Sequence, residues 1–319
     1  MKKRIKVLGV LALGLLVLAG CGKGDDQEKA TASSTSSQSE TTVITVKDSE
    51  GEVEVPVNPE KVVVFDMGSL DTINSLGKGE TVIGTATDNL PAYLDQFADV
   101  ESAGGIKEPD LEKINELQPD LIIISGRQSE FKKDLSAIAP TLYLAVDNAD
   151  TWNSTKTNIE TLASIFNEED LAKEKIADLE TQIAETKEKA QASKLTTLVT
   201  LVNEGQLSAY GEGSRFGIIH DTFGFIPADT EIEVSTHGQS ASFEYVLEKN
   251  PDVIFVIDRT KAIGGDDENN DVSKNELVAQ TNAGKNDKII SLQADVWYLS
   301  GGGIECTELM LKDVEAALK

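Results

Sequence analysis

Histidine, cysteine and arginine are the residue types this chain nearly does without. Its 319 residues include two His, two Cys and four Arg (Arg4, Arg127, Arg215 and Arg259). So few imidazoles exclude a dedicated Zn or Mn site, which calls for several His, and leave a Ser-His-Asp triad few ways to form. No G-x-S-x-G elbow, H-E-x-x-H pair or P-loop occurs. Basic charge is in deficit, with 29 Lys and Arg against 55 Asp and Glu. That balance argues against a nucleic-acid surface and against adhesion to anionic lipid. The apolar run Val7–Leu18 is shorter than the roughly 20 residues a membrane span needs.

That run follows Lys2, Lys3, Arg4 and Lys6 and ends in Leu18-Ala19-Gly20-Cys21. Residues 1–20 read as a secretory signal. Their end resembles the bacterial lipoprotein box, in which the Cys is lipidated on sulfur and becomes the first residue of the mature chain; the alternative is an uncleaved anchor with a chance Cys. With Cys21 on lipid, Cys306 has no second thiol for a disulfide or a metal cage, and it reads as a small apolar residue of the core. Residues 21–42 are Ser/Thr-rich and polar, a flexible tether of about 25 Å on average and about 70 Å stretched. It would hold a folded body at the outer face of a membrane. Without the four basic residues of the leader the chain carries 25 Lys and Arg against 55 Asp and Glu, a net of −30.

The folded part reads as α/β: an N-terminal lobe over 43–165, a long linker helix over 166–194 and a C-terminal lobe over 195–319. After a hairpin around "DSEG", short apolar strands at 61–66, 81–86, 121–125 and 141–145 alternate with helices at 69–76, 110–118 and about 128–138. Such alternation implies a mostly parallel sheet covered on both faces. From Thr151 to about Lys194 the pattern becomes that of one long amphipathic helix, with Leu171, Ile176, Leu179 and Ile183 on one face. A coiled-coil partner helix is the other reading of this stretch, with few heptads to support it. Strands are expected again at 195–203, 207–211, 232–236, 253–258, 288–292 and 296–300, and a helix at 305–318 closes the chain.

One phrase occurs twice: "PDLIIISGR" at 119–127 and "PDVIFVIDR" at 251–259, each after a helix-like stretch. In open parallel sheets ligands bind beyond the carboxyl ends of the strands, and Arg127 and Arg259 fall just past such ends. Arg215 lies in the glycine-rich turn "YGEGSRFG". The long helix uses only Lys. Guanidinium is planar, always charged and suited to paired hydrogen bonds with oxyanions, so three of them on rim loops point to a multiply anionic ligand. The alternative is that each pairs with a nearby carboxylate such as Asp258 or Glu212. His237, in "STHGQS", and Tyr298, in "VWYLSGGG", stand on the same rim and could complete the coordination of Fe(III), which accepts phenolate and imidazole. Tyr298 could equally be a rim aromatic. His220 reads as a structural, helical His, and "GGDDENND" at 264–271 as an acidic solvated loop without the EF-hand Gly and Glu.

The stretches "SGRQSEFKKDLSAIAPTLYL", "LSAYGEGSRFGIIHDTFG", "STHGQSASFEYVLEKNPDVIFVIDRTKAIG" and "WYLSGGG" together resemble the catecholate-siderophore-binding lipoproteins of bacterial iron ABC importers, of the petrobactin type. The resemblance covers nearly the whole mature chain. It implies two Rossmann-like lobes with mostly parallel sheets joined by one long helix, a shallow cleft and little hinge motion. It further implies a monomeric receptor without catalysis or prosthetic group, tethered to the membrane by Cys21, that passes an Fe(III)-siderophore to an ABC permease and its ATPase. Arg127, Arg215 and Arg259 match the family's three cleft arginines. His237 and Tyr298 match residues that bind iron directly in some relatives. Acidic residues on each lobe dock onto the permease, for which Asp71 is the candidate in one lobe and the counterpart is unassigned. The loop "GTATDNLPAYL" departs from the pattern in having no cation where relatives often carry Lys, and Lys261 offers an extra cation on the other lobe. A receptor for haem or another metal complex on the same fold is the alternative, and a secreted hydrolase a more distant one.

Overall fold

The computed structural model describes residues 42–266 and 268–319; the leader, Cys21 and the tether up to residue 41 lie outside the described residues. The first described elements are the antiparallel strands β1 (Val43–Lys47) and β2 (Glu52–Pro56). The N-terminal lobe follows as β3 (Val62–Val64), α1 (Met67–Ser75), β4 (Val82–Thr85), β5 (Glu101–Ser102), α2 (Leu111–Leu117), β6 (Leu121–Ile124), α3 (Lys132–Leu135) and β7 (Thr141–Tyr143). β3 and β6 are buried at every position, as strands covered on both faces must be. All neighbours are parallel, in the order β5-β4-β3-β6-β7. The strand order therefore reverses between β3 and β6, and the crevice at such a reversal opens beyond their carboxyl ends.

The expected long linker helix over 166–194 is present, and the stretch from Thr151, which the sequence pattern ran together with it, is a separate helix before it. α4 (Thr151–Phe166) stops at Asn167, which takes the left-handed conformation (φ 54), and α5 (Glu169–Ser193) runs back along it. Asn tolerates that conformation better than most residues. Lys156 on α4 reaches Glu180 on α5 at 2.8 Å, which fixes the pair as antiparallel. α4 serves both cores: Leu162, Ile165 and Phe166 pack into the first lobe, Ile159 and Ala163 against α5 and the second.

The C-terminal lobe contains β8 (Thr196–Asn203), β9 (Gln206–Tyr210), α6 (Ile218–Asp221), β10 (Ile226–Pro227), β11 (Gln239–Ala241), α7 (Phe243–Lys249), β12 (Val253–Asp258), α8 (Arg259–Ala262), α9 (Asn282–Lys285), β13 (Ile289–Ser291) and α10 (Ile304–Glu315). Its main path is β11-β9-β8-β12-β13, with β10 beside β8. β12 pairs in parallel with β8 and β13; β8 and β9 form a hairpin turned by Glu204 and Gly205, both at positive φ.

The doubled phrase has a structural cause. α2 and α7 both end on a left-handed residue, Gln118 (φ 49) and Asn250 (φ 46), followed by Pro-Asp. Asp120 then accepts Glu60 N at 3.0 Å and Lys61 N at 2.9 Å, at the start of β3. Asp252 accepts Thr196 N at 3.0 Å, at the start of β8. In each lobe this carboxylate ties together the two central strands at their amino ends. The arginine then emerges just past the other end.

Two expected strands are absent. Residues 232–236 alternate correctly but find no ladder: the free edge of β9 is taken by β11 instead, and Val234 is exposed. Residues 296–300 form a π-helical turn closed by Gly301 N to Val296 O at 3.2 Å. There Trp297 is buried and its Nε1 donates to Asp313 at 3.0 Å. Burial of the indole on a helical turn overrides the strand preference of an aromatic, branched run.

Candidate functional site

Each arginine leaves its lobe from a backbone that the sequence shapes locally. Arg127 lies in the short turn Gly126–Phe131 after β6, opened by a capping box of Ser125 and Gln128. Arg259 opens α8 directly after β12, where Asp258 caps the helix through Lys261 N at 3.0 Å. Arg215 sits in the turn between β9 and α6.

All three meet at Tyr298. Arg127 donates from Nη2 to the Tyr298 carbonyl at 2.7 Å and from Nη1 to Leu299 O at 3.1 Å. Arg215 donates from Nη2 to the same Tyr298 carbonyl at 2.6 Å. Arg259 donates from Nε to the Tyr298 hydroxyl at 2.8 Å and from Nη1 to Asn203 Oδ1 at 2.6 Å. The guanidinium carbons of Arg215, Arg259 and Arg127 lie 4.4, 5.6 and 6.0 Å from the centre of the Tyr298 ring, within cation–π range. None is spent on a carboxylate. Among the described residues every ion pair within 4.0 Å uses Lys, so pairing of Arg259 with Asp258 or of Arg215 with Glu212 does not occur. Each guanidinium has five N–H donors, and most of them stay free.

The charges shape one another. Burial and the neighbouring Arg215 charge lower the Arg127 guanidinium from its ordinary value. Burial alone would raise the Tyr298 phenol; the hydrogen bond from Arg259 and the charges of Arg259 and Arg215 outweigh it, so the phenol lies below its ordinary value. Asp66, at the end of β3, caps α1 through Ser69 N at 2.8 Å, and burial raises its carboxyl despite the bonds from Ser69 and the Arg127 charge.

A cleft of about 470 Å³ opens over this cluster, lined among others by Asp66, Lys107, Arg127, Arg215, His237 and Tyr298. Arg259 reaches the phenol without lining the cleft wall. His237 is exposed on the rim; its carbonyl accepts the Tyr210 hydroxyl at 2.9 Å, and its ring makes no hydrogen bond among the described residues. Tyr298 is presented by the π-helical turn and not by a strand end. The further cation on this cleft is Lys107, which the sequence pattern did not single out; Lys261, the extra cation expected on the other lobe, lines a separate cleft. Lys107 stands in the Gly-Gly turn after β5, next to Ile106, whose carbonyl accepts from Gln128 of the Arg127 turn. A lone Lys in a Gly-Gly turn past a strand end was the available signal. His220 is structural: its Nδ1 lies 3.0 Å from Phe225 O.

Asp71 is not a surface charge. It is fully buried between α1 and α10, accepting Cys306 N at 2.8 Å and Glu305 N at 3.1 Å. It cannot present itself to a docking partner, because the two helices close over it.

Residues 62–296, which carry both sheets, the linker and Tyr298's turn up to Val296, match the family described as "Periplasmic binding protein". The chain belongs to the periplasmic binding protein family. It is 48% identical over 268 residues to the petrobactin-binding protein YclQ of Bacillus subtilis, covering 83% of this chain and 84% of that one. It superposes on the crystal structure of YclQ with a TM-score of 0.86 at 47% identity, over 87% of this chain and 99% of the other. It is 32% identical over 267 residues to the ferric-anguibactin-binding protein FatB of Vibrio anguillarum, covering 80% of this chain and 81% of that one. The crystal structure of the periplasmic catecholate-siderophore binding protein VctP of Vibrio cholerae matches with a TM-score of 0.81 at 32% identity, over 86% of this chain and all of the other. The fold is thus the class III periplasmic binding protein fold, with two mostly parallel sheets. This periplasmic binding protein is extracytoplasmic and captures a ligand; it is not an enzyme.

Proposed function

We propose that the arginine cleft holds a ferric catecholate siderophore of the petrobactin type, taken up outside the cell and handed to an ABC permease driven by its ATPase. That the chain is a siderophore-binding protein of ABC iron uptake accords with its family and its likeness to a petrobactin-binding protein over most of both chains. The observation that carries the cleft reading is the convergence of Arg127, Arg215 and Arg259 on Tyr298 with no ion pair to a carboxylate within 4.0 Å among the described residues. An Fe(III) held by doubly deprotonated catechols is compact, anionic and rich in acceptor oxygens, which is what free guanidinium donors complement. Lys107 adds a cation on the first lobe. Cys21 carries the lipid anchor that keeps the receptor on the outer face of the cytoplasmic membrane, and the receptor acts as a monomer.

Quenching of tryptophan fluorescence tests the ligand class: a ferric catecholate should bind tightly, haem and Zn should not, and tighter haem binding would sink the reading. With a bis-catechol iron complex, two coordination sites stay open, and Tyr298 and His237 fill them. The lowered phenol favours the phenolate that Fe(III) takes. Tyr298→Phe and His237→Ala should each move the charge-transfer band of that complex; an unmoved band in both variants removes these residues as ligands.

With Asp71 buried, the docking charges lie elsewhere. Glu112 and Glu244 are exposed, open α2 and α7, and stand at the same place in the doubled unit, equally far ahead of Arg127 and Arg259. One such Glu per lobe suits a permease that meets both lobes at once. Glu112→Lys with Glu244→Lys should cut iron uptake by cells about tenfold or more while leaving siderophore affinity in solution unchanged.

A further inference from the structure

The turn that presents Tyr298 belongs to the second lobe by sequence but is held from the first. Asp295, just before it, accepts Ala92 N at 2.8 Å, and Ser300, its last residue, accepts the Tyr93 hydroxyl at 2.8 Å. The third tie lies deepest. After Gly301–Gly303 the chain enters α10, which starts with no capping side chain of its own because Gly303 is its N-cap. Asp71, on α1 of the first lobe, supplies the missing acceptor to Cys306 N and Glu305 N, while Ser75 Oγ donates to it at 3.1 Å. A Cβ added at Gly68 would lie 2.9 Å from Gly302 O, so α1 and the glycine turn are in backbone contact.

We propose that Asp71 is a positioning residue of the binding cleft: by capping α10 across the lobes it fixes the glycine turn, and through it the carbonyl and ring of Tyr298 that gather the arginines. It rests on the cleft reading above. Asp71 meets no ligand; it acts by preorganisation, raising the share of chains whose cleft is already in register.

The titratable groups facing Asp71 are Glu305 and Cys306 on α10, together with Tyr93. Burial pushes the Asp71 carboxyl up to about 7, with the two backbone N–H groups and Ser75 opposing and the Glu305 charge adding to it. Burial also drives Tyr93 and Cys306 upward, so both stay neutral near pH 7. The cap is therefore charged above that pH and neutral below. A carboxyl raised above its unfolded value makes the fold less stable as pH rises from the unfolded to the folded value. An Asn here relieves that cost while losing the charge-assisted cap. Stability and affinity then move in opposite directions, which a merely structural residue would not produce.

The test is Asp71→Asn beside the natural chain, each titrated with a ferric tris-catecholate by tryptophan quenching between about pH 6 and pH 8. The ratio of the two affinities cancels the ligand's own titration. At pH 8 the variant should melt no lower than the natural chain yet bind about tenfold more weakly, and the ratio should close toward unity by pH 6. Equal affinities at every pH overturn the proposal and leave the cleft reading standing, as does a variant that melts lower and loses affinity in proportion throughout. Failure of the natural chain to bind overturns the cleft reading and this proposal with it. Should Asp71→Asn not fold, a Trp152→Phe chain decides: Trp297, beside Tyr298, should show an emission step between about pH 6 and 8, and a flat emission overturns the proposal.

Discussion

Replacing Arg215 by alanine should, on the proposed cleft reading, weaken binding of a ferric catecholate by about 1.5–3 kcal/mol, ten- to a hundredfold in Kd. Of the three arginines it lies nearest the Tyr298 ring, at 4.4 Å, and it shares the Tyr298 carbonyl with Arg127. On the proposed reading its removal takes away a donor to the ligand at the centre of the cluster. Arg127→Ala and Arg259→Ala should each cost a similar amount. The double change Arg127→Ala with Arg215→Ala should fall short of the sum, since both act through one carbonyl. Arg215→Lys should recover little, because an ammonium cannot stack on the ring and offer a planar fork together. Fluorescence titration of the variants, with circular dichroism to verify folding, measures all of this. Unchanged affinity in the three single variants would remove the cluster from the ligand site.

The largest stability loss belongs to Gly303→Ala, at about 3 kcal/mol or more and a fall in Tm of about 6–10 °C. Gly303 sits at φ 106 and ψ 176, a region open in practice only to glycine. Its added Cβ would also meet Asp71 Oδ2 at 2.3 Å and Gly68 O at 2.8 Å. Neither neighbour can retreat: Gly68 is helical backbone and Asp71 is held by two α10 amides. Gly301 makes the contrast. It has φ 73 but nothing within 4 Å of a new Cβ, so Gly301→Ala should cost only the backbone strain, about 1–2 kcal/mol. Differential scanning calorimetry of the two variants separates clash from strain; equal melting temperatures would mean that the lobes are not locked at this joint.

How much could be read in advance follows from how local each cause is. The parallel lobes were legible in Val62–Val64 and Leu121–Ile124, because a strand covered on both faces must be apolar throughout. The arginines were legible because a chain this acidic can dispose of cations on Lys anywhere, yet outside the leader places its Arg only past strand ends. The break at Asn167 was legible only as the boundary between lobe and linker at 165–166; that a helix precedes it and the chain reverses there depends on packing against both cores. The π-helical turn at 296–300 was missed because aromatic and branched residues prefer strands until a distant partner, here Asp313, claims the indole. Lys107 depends on a contact between Ile106 and Gln128, and the burial of Asp71 on the packing of α1 against α10. Both are meetings of residues far apart in the chain.

By itself the sequence determined the α/β alternation, the doubled helix–Pro-Asp–strand unit and the identity of the three cations, because period, composition and turn chemistry act over a few residues. The tertiary structure alone decided that those cations share one tyrosine, that a Lys joins them, and that a supposed surface aspartate is the cap joining the lobes. Such outcomes depend on which strand ends and helix termini are brought together, and that is set by the packing of the two sheets around α4, α5 and α10 rather than by any stretch of chain read alone.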